Sequence, residues 1–273
     1  MLLSANDSPV PKKLPRVVTS FNEEGYKRYG KKFIETWLKH WPASIGLTVY
    51  YEGDDFDLDP KISWRPIEEV EFLADYLEAL KFPIMHGIVG DRYDINFDAR
   101  HGRKTFIENH AIRQYGGKVF WMDSDSVTYQ DVPEGFLDQC LPDDKFSSYL
   151  GRDGWYFTES GFIGFNANHQ LCKEFFRNYV HMFITGVIFA QAPQYDNGQY
   201  LGGGWHDCIG YDCTRFIAKQ HGHESEFVNM SAHVPRGTMH PHANSAIGKY
   251  MKHLKGNRKE SGELKEGDVI VSH

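Results

Sequence analysis

The chain has 273 residues, 41% of them hydrophobic and 25% charged, a balance that suits a globular protein and is too apolar for disorder. Thirty Lys and Arg face 37 Asp and Glu, giving a formal net charge of −7, so no global basic surplus points to DNA or RNA. Aromatic residues reach 15%, which serves a thick core and also a site that holds flat bases or sugar faces.

Residues 1–15, rich in Pro and Lys, read as a flexible lead-in without the apolar run of a secretory signal. Residues 17–22 (VVTSFN) read as a short buried strand. From Glu24 to Trp41 a helical period runs through Tyr26, Tyr29, Phe33, Trp37 and Trp41 and stops at Pro42. Ile45 to Tyr51 is a second strand, and this strand–helix–strand unit argues for a parallel sheet with crossover helices. Glu68 to Lys81 reads as a helix, and 82–103 as irregular. Thr105 to Tyr115 is a helix ended by Gly116-Gly117. The apolar run 118–122 (KVFWM) follows, then strands over 146–150 and 161–166, a helix over 171–189 and another over 207–220. From His233 onward the chain reads as a loop-rich tail folded over the rest. The expected fold class is α/β, one Rossmann-like domain over 16–232 with a mostly parallel sheet flanked by helices, and a tail over 233–273. Cys140, Cys172, Cys208 and Cys213 lack zinc-ligand spacing and read as reduced thiols of a cytoplasmic protein. No stretch reaches 18 consecutive apolar residues.

The strongest chemical signal is Asp123-Ser124-Asp125, placed just beyond the end of an apolar strand, where open parallel sheets bind ligands. A turn there lets both carboxylates approach one cation. Mg²⁺ or Mn²⁺ takes one or two carboxylates and fills its other positions with water and substrate phosphates. The competing reading is a capping or turn aspartate in a strand-to-helix loop.

Residues 118–133 (KVFWMDSDSVTYQDVP) resemble the D-x-D segment of GT-A fold glycosyltransferases, most closely the glycogenin-like retaining group, glycosyltransferase family 8. The resemblance spans residues 16 to 259 and implies a nucleoside diphosphate sugar donor, a UDP-sugar above others, with Mn²⁺ or Mg²⁺ as cofactor. Thr19, Ser20 and Asn22 fall where that family's first strand meets base and ribose, with Tyr26 as a candidate stacking surface and Ser124 between the two aspartates. Arg100, Arg103 and Lys104 precede the next helix, where a basic residue contacts sugar or diphosphate. Glu159-Ser160-Gly161 resembles an N-S-G segment with Glu in place of Asn. Residues 203–207 (GGWHD) resemble G-G-D-Q, so Asp207 falls beside the transferred sugar. His253, Gly256 and Lys259 match H-x-x-G-x-x-K, although Glu260-Ser261 replaces the expected Pro-Trp.

Each site residue has a rival role. His253 is the first candidate for a third metal ligand, with His233, His240 and His242 competing. Asp207 either acts on the sugar as a catalytic carboxylate or caps a helix, leaving the chemistry to His206 or Asp212. Glu159 either binds sugar hydroxyls as a second catalytic carboxylate or sits in a surface turn. Trp205 stacks on a sugar or fills the core. Lys259 or Lys249 neutralises the diphosphate or belongs to a solvated basic strip. The expected function is metal-dependent sugar transfer to a hydroxyl acceptor (glycan, protein, small molecule or modified nucleic-acid base), with no membrane span. The alternatives are a sugar nucleotidyltransferase, disfavoured by a glycine-free first strand end, and a carbohydrate- or nucleotide-sugar-binding protein without transfer activity.

Overall fold

The computed structural model describes residues 13–54, 56–81, 95–152, 157–190, 194–196, 199–202, 206–231 and 241–254. Its first strand, β1 (Arg16–Asn22), leads into a short helical turn (Glu23–Gly25) whose Asn22 side chain accepts from the Gly25 amide. A π-helical stretch (Tyr26–Gly30) then precedes α1 (Lys31–His40). The continuous helix expected over 24–41 is therefore broken in register. At Gly30 any Cβ would lie 3.1 Å from the Phe21 ring, so this stretch rides close over the end of β1. Next come β2 (Gly46–Glu52), β3 (Ser63–Pro66) and α2 (Leu73–Ala79).

Helix α3 (Ile95–Tyr115) is longer than expected, because residues 95–103 are helical rather than irregular. Gly102, which reads as a helix breaker in sequence, allows α2 to approach: a Cβ there would fall 2.2 Å from the Tyr76 ring. Gly116 and Gly117 end α3 at φ +62° and +66°, a backbone region that favours glycine. The next elements are β4 (Lys118–Met122), β5 (Ser126–Thr128), α4 (Phe136–Cys140), β6 (Ser147–Leu150) and β7 (Glu159–Asn166). After them come α5 (Cys172–Ile184), β8 (Gln194–Asp196), β9 (Gln199–Gly202), α6 (His206–Gln220), β10 (Phe227–Asn229) and β11 (Met251–His253). Helix α5 stops short of its expected end, and a 3-10 turn covers Val187–Ala190.

Seven strands form the central sheet in the order β10-β6-β7-β4-β1-β2-β3. Six run parallel and β7 alone runs antiparallel, pairing with β4 on one side and β6 on the other. Alternation along β4 sends Val119 and Trp121 to one face and Phe120 and Met122 to the other. On the first face α2, α3, α5 and α6 bury Phe106, Phe175, Tyr179 and Tyr211, while α1 and α4 bury Phe33, Trp37 and Phe136 on the second. The fold is α/β and Rossmann-like, as expected, and its aromatic wealth is largely core. Among the described residues no helix is long and apolar enough to cross a membrane. The four cysteines are free.

Candidate metal centre and active site

Strand order reverses between β1 and β4, and the carboxyl ends of both strands open at that crevice. Asp123 follows β4 immediately, and its amide donates to the Gly161 carbonyl at 2.8 Å. The Ser126 amide donates back to the Asp123 carbonyl at 3.1 Å, closing the turn that gathers the two aspartates. Strand β11 pairs antiparallel with β5 and sets His253 opposite Ser126, while the Leu254 amide donates to the Asp125 carbonyl at 2.8 Å. The tail is thereby stitched to the D-x-D turn by main-chain bonds, which bring His253 beside the two aspartates.

Nε2 of His253 lies 2.7 Å from Oδ1 of Asp125 and 3.6 Å from Oδ2 of Asp123. One ligand atom from each of the three residues falls within 4.8 Å of the others, a span a single ion can bridge. Two carboxylates and one imidazole suit Mn²⁺, which accepts nitrogen beside oxygen, and serve Mg²⁺ less well. Asp125 and His253 are buried and Asp123 is partly open, so a bound cation would keep a face toward substrate.

Behind His253 stands Glu159. Because β7 runs antiparallel to β4, its first residues are delivered to the same carboxyl edge as Asp123. Oε1 of Glu159 is 3.5 Å from Nδ1 of His253, and Oε2 is held by Arg152 at 2.6 Å. At 3.5 Å this is a charge contact, longer than a hydrogen bond, that sets a carboxylate against the ring nitrogen turned away from the aspartates. Gly161 makes room for it, since a Cβ there would lie 2.8 Å from Nδ1. The Glu159 side chain, expected to bind sugar hydroxyls, faces His253. The His242 ring packs on that of His253 at 5.4 Å between centroids, outside the ligand group.

Asp207, at the start of α6, is 3% exposed and accepts from Nδ1 of His101 at 2.7 Å and from the Ser160 hydroxyl at 2.6 Å. Nζ of Lys104 lies 3.0 Å from Oδ2 of Asp207 and 3.6 Å from Oδ1 of Asp123, and also donates to the Ser160 carbonyl. Burial alone would raise the Asp207 carboxyl, but Lys104 and His101 outweigh it and hold the group well below the usual range. Burial likewise disfavours the Lys104 ammonium, and the carboxylates of Asp123 and Asp207 more than offset it, so this lysine stays charged. Lys104 therefore links Asp123 to the buried Asp207.

The Ser124 hydroxyl donates to the Ser20 carbonyl at 3.1 Å, joining the D-x-D turn to β1. Thr19 is buried in β1. Asn22 is spent as a cap. Tyr26 packs against Phe21, Phe56 and Trp64, so its ring belongs to an aromatic cluster. Arg103 turns to Glu52 at 3.0 Å, at the end of β2. Trp205, Gly256, Lys259, His233, His240 and the Gly203-Gly204 pair lie outside the described residues. His101 and Arg152 were not expected, and Ser160 entered only as part of the segment that resembles N-S-G. The signal for His101 was its i, i+3 spacing to Lys104, legible only if the helix is begun early enough. A groove of about 690 Å³ runs between α3 and α5, lined by Ile112, Phe176 and Arg177 among others, and shares no residue with this centre.

No protein-family model matches the chain, and no curated protein matches it either. Among solved structures it is similar to the WbbM bifunctional glycosyltransferase in its apo form, at 14% identity and a TM-score of 0.44. That match covers 82% of this chain and 40% of the other, so this chain spans less than half the length of that protein.

Proposed function

We propose that this protein is a metal-dependent glycosyltransferase that moves a sugar from a nucleoside diphosphate donor, a UDP-sugar first among them, to a hydroxyl acceptor, with the anomeric configuration retained. The observation that carries the reading is the convergence of Asp123, Asp125 and His253 at the crevice between β1 and β4. These residues would hold Mn²⁺ or Mg²⁺, and the ion would offset charge on the departing diphosphate.

The chain's own residues then take definite parts. Lys104 supplies a fixed positive charge between metal centre and sugar site. Asp207 keeps Lys104 and His101 aimed at the reacting centre, a preorganised arrangement that needs little rearrangement during reaction. Glu159 acts through His253 rather than on the sugar. Ser20 and Asn22, at the open end of β1, border the nucleoside, with Thr19, Tyr26 and Ser124 buried behind them, and Arg103 borders the diphosphate. Trp205, Gly256 and Lys259, with the tail over 233–273, close over the donor. Retention rests on the family-8 resemblance of the D-x-D and tail segments.

The test is a thermal-shift screen of nucleoside diphosphates with and without Mn²⁺, because a ligand that binds the native state raises stability by RT ln(1 + [L]/Kd). One base should stand out, and only with metal. Donor hydrolysis that survives Asp123→Asn and Asp125→Asn together overturns the metal role. Binding without any hydrolysis or transfer across donors and acceptors would reduce the protein to a nucleotide-sugar binder.

A further inference from the structure

Helix α3 bears a third ionisable residue on the face that carries His101 and Lys104. Glu108 follows Lys104 by one turn, is 1% exposed, and has no hydrogen-bond partner on either carboxyl oxygen among the described residues. Glu and Lys four residues apart on a helix are ordinarily neighbours. Here Nζ of Lys104 is spent elsewhere, on the Ser160 carbonyl, on Asp207 at 3.0 Å and toward Asp123 at 3.6 Å. An ionised carboxylate with two empty oxygens at that depth is costly, and a neutral acid is far less so. The groups that act on Glu108 electrostatically are Lys104 on its own helix, Asp207 on α6, Asp123 beyond β4 and the Tyr179 phenol on α5. Once ionised, Glu108 would be the third carboxylate around one ammonium.

We propose that Glu108 is a positioning residue held as the neutral acid, which leaves the Lys104 ammonium to Ser160, Asp207 and Asp123, and whose ionisation draws Lys104 back along the helix and releases them. One proton passes from Glu108 to solvent, and one ion pair replaces another. Burial, opposed by Lys104 and reinforced by Asp207 and Asp123, pushes the carboxyl up to about 8, so the change falls in mildly alkaline solution. The inference concerns the charge state of the cluster and not the transfer reaction, so its failure leaves the proposed function standing.

The test compares the wild type with Glu108→Gln, which keeps the shape and cannot ionise. The folded wild type keeps a proton that the unfolded chain sheds near 4.5, so its stability falls as pH rises toward about 8 and then levels. The urea midpoint of the Gln variant, relative to wild type, should climb across that interval, and a flat difference overturns the proposal. Displacement of Lys104 has its own reporter, since Nζ sits 5.2 Å over the Trp121 ring. Wild-type tryptophan fluorescence should change with the same midpoint, and unchanged emission overturns the displacement. Should the Gln variant fail to fold, wild type labelled with ¹³C at Glu carboxyls should show one resonance titrating near 8. If every Glu titrates in the ordinary carboxylate range, the proposal falls.

Discussion

The Trp121 indole N–H donates to Oδ1 of Asp123 at 2.6 Å, so the strand that ends at the D-x-D turn also aims its first carboxylate. Oδ1 is thereby turned toward Trp121 and Lys104, and Oδ2 toward His253. A partner behind a metal ligand is typically worth about 10- to 100-fold in affinity. Trp121→Phe keeps most of the buried surface and loses the donor, and its Mn²⁺ affinity should fall about tenfold in that range. Calorimetry checks this, and undiminished affinity in a folded variant would show that Asp123 needs no such support.

Glu159→Gln should weaken Mn²⁺ binding by about 10- to 100-fold, because it removes the carboxylate charge that lies 3.5 Å from Nδ1 of His253. If Glu159 touched the sugar instead, the same variant would keep its metal affinity and lose only turnover. Calorimetry with Mn²⁺ alone separates the two outcomes.

Gly161→Ala tests the same contact by crowding. The new methyl would lie 2.8 Å from Nδ1 of His253, too close for the ring to stay, and 3.1 Å from Oε1 of Glu159, a tight contact that needs only a small shift. Secondary structure by circular dichroism should be preserved, while Mn²⁺ affinity drops by at least about tenfold as the ring is displaced. Native affinity in this variant would mean that His253 does not ligate from its present position.

The parts legible in sequence are those in which one periodicity dominates. Strand β4 stands out because both its faces are buried, and Gly116-Gly117 marks the end of α3 chemically. Helix α3 was harder to read because its site-facing side carries His101, Lys104 and Glu108, which dilute the apolar period, while Gly102 mimics a break. Strands β5 and β11 have three residues each, too few for alternation to register, yet they bring His253 to the aspartates. The place of Glu159 depends on β7 running antiparallel, which no local spacing encodes. His253 was legible only through the spacing of a resembling motif.

The buried Lys104–Asp207 pair makes a prediction about stability that is independent of any activity. Asp207→Asn removes the nearest counter-charge, at 3.0 Å, of an ammonium that is itself 5% exposed, and breaking one partner of a buried pair costs about 3–5 kcal/mol. For a chain of this size that lowers Tm on the order of 10 °C at neutral pH. The sign with pH follows from the depressed Asp207 carboxyl. Its contribution is present above the unfolded value of 3.8 and is lost as pH falls below it, so the gap between wild type and variant should close in acid. Adding Lys104→Met to Asp207→Asn should restore part of the loss, because the stranded charge goes with it. Urea midpoints for the four proteins of this cycle, taken at neutral pH and below pH 3.8, check all three statements. A gap that persists unchanged in acid, or a double variant no more stable than Asp207→Asn alone, would show that Asp207 stabilises the fold through its bonds to Ser160 and His101 and not through Lys104.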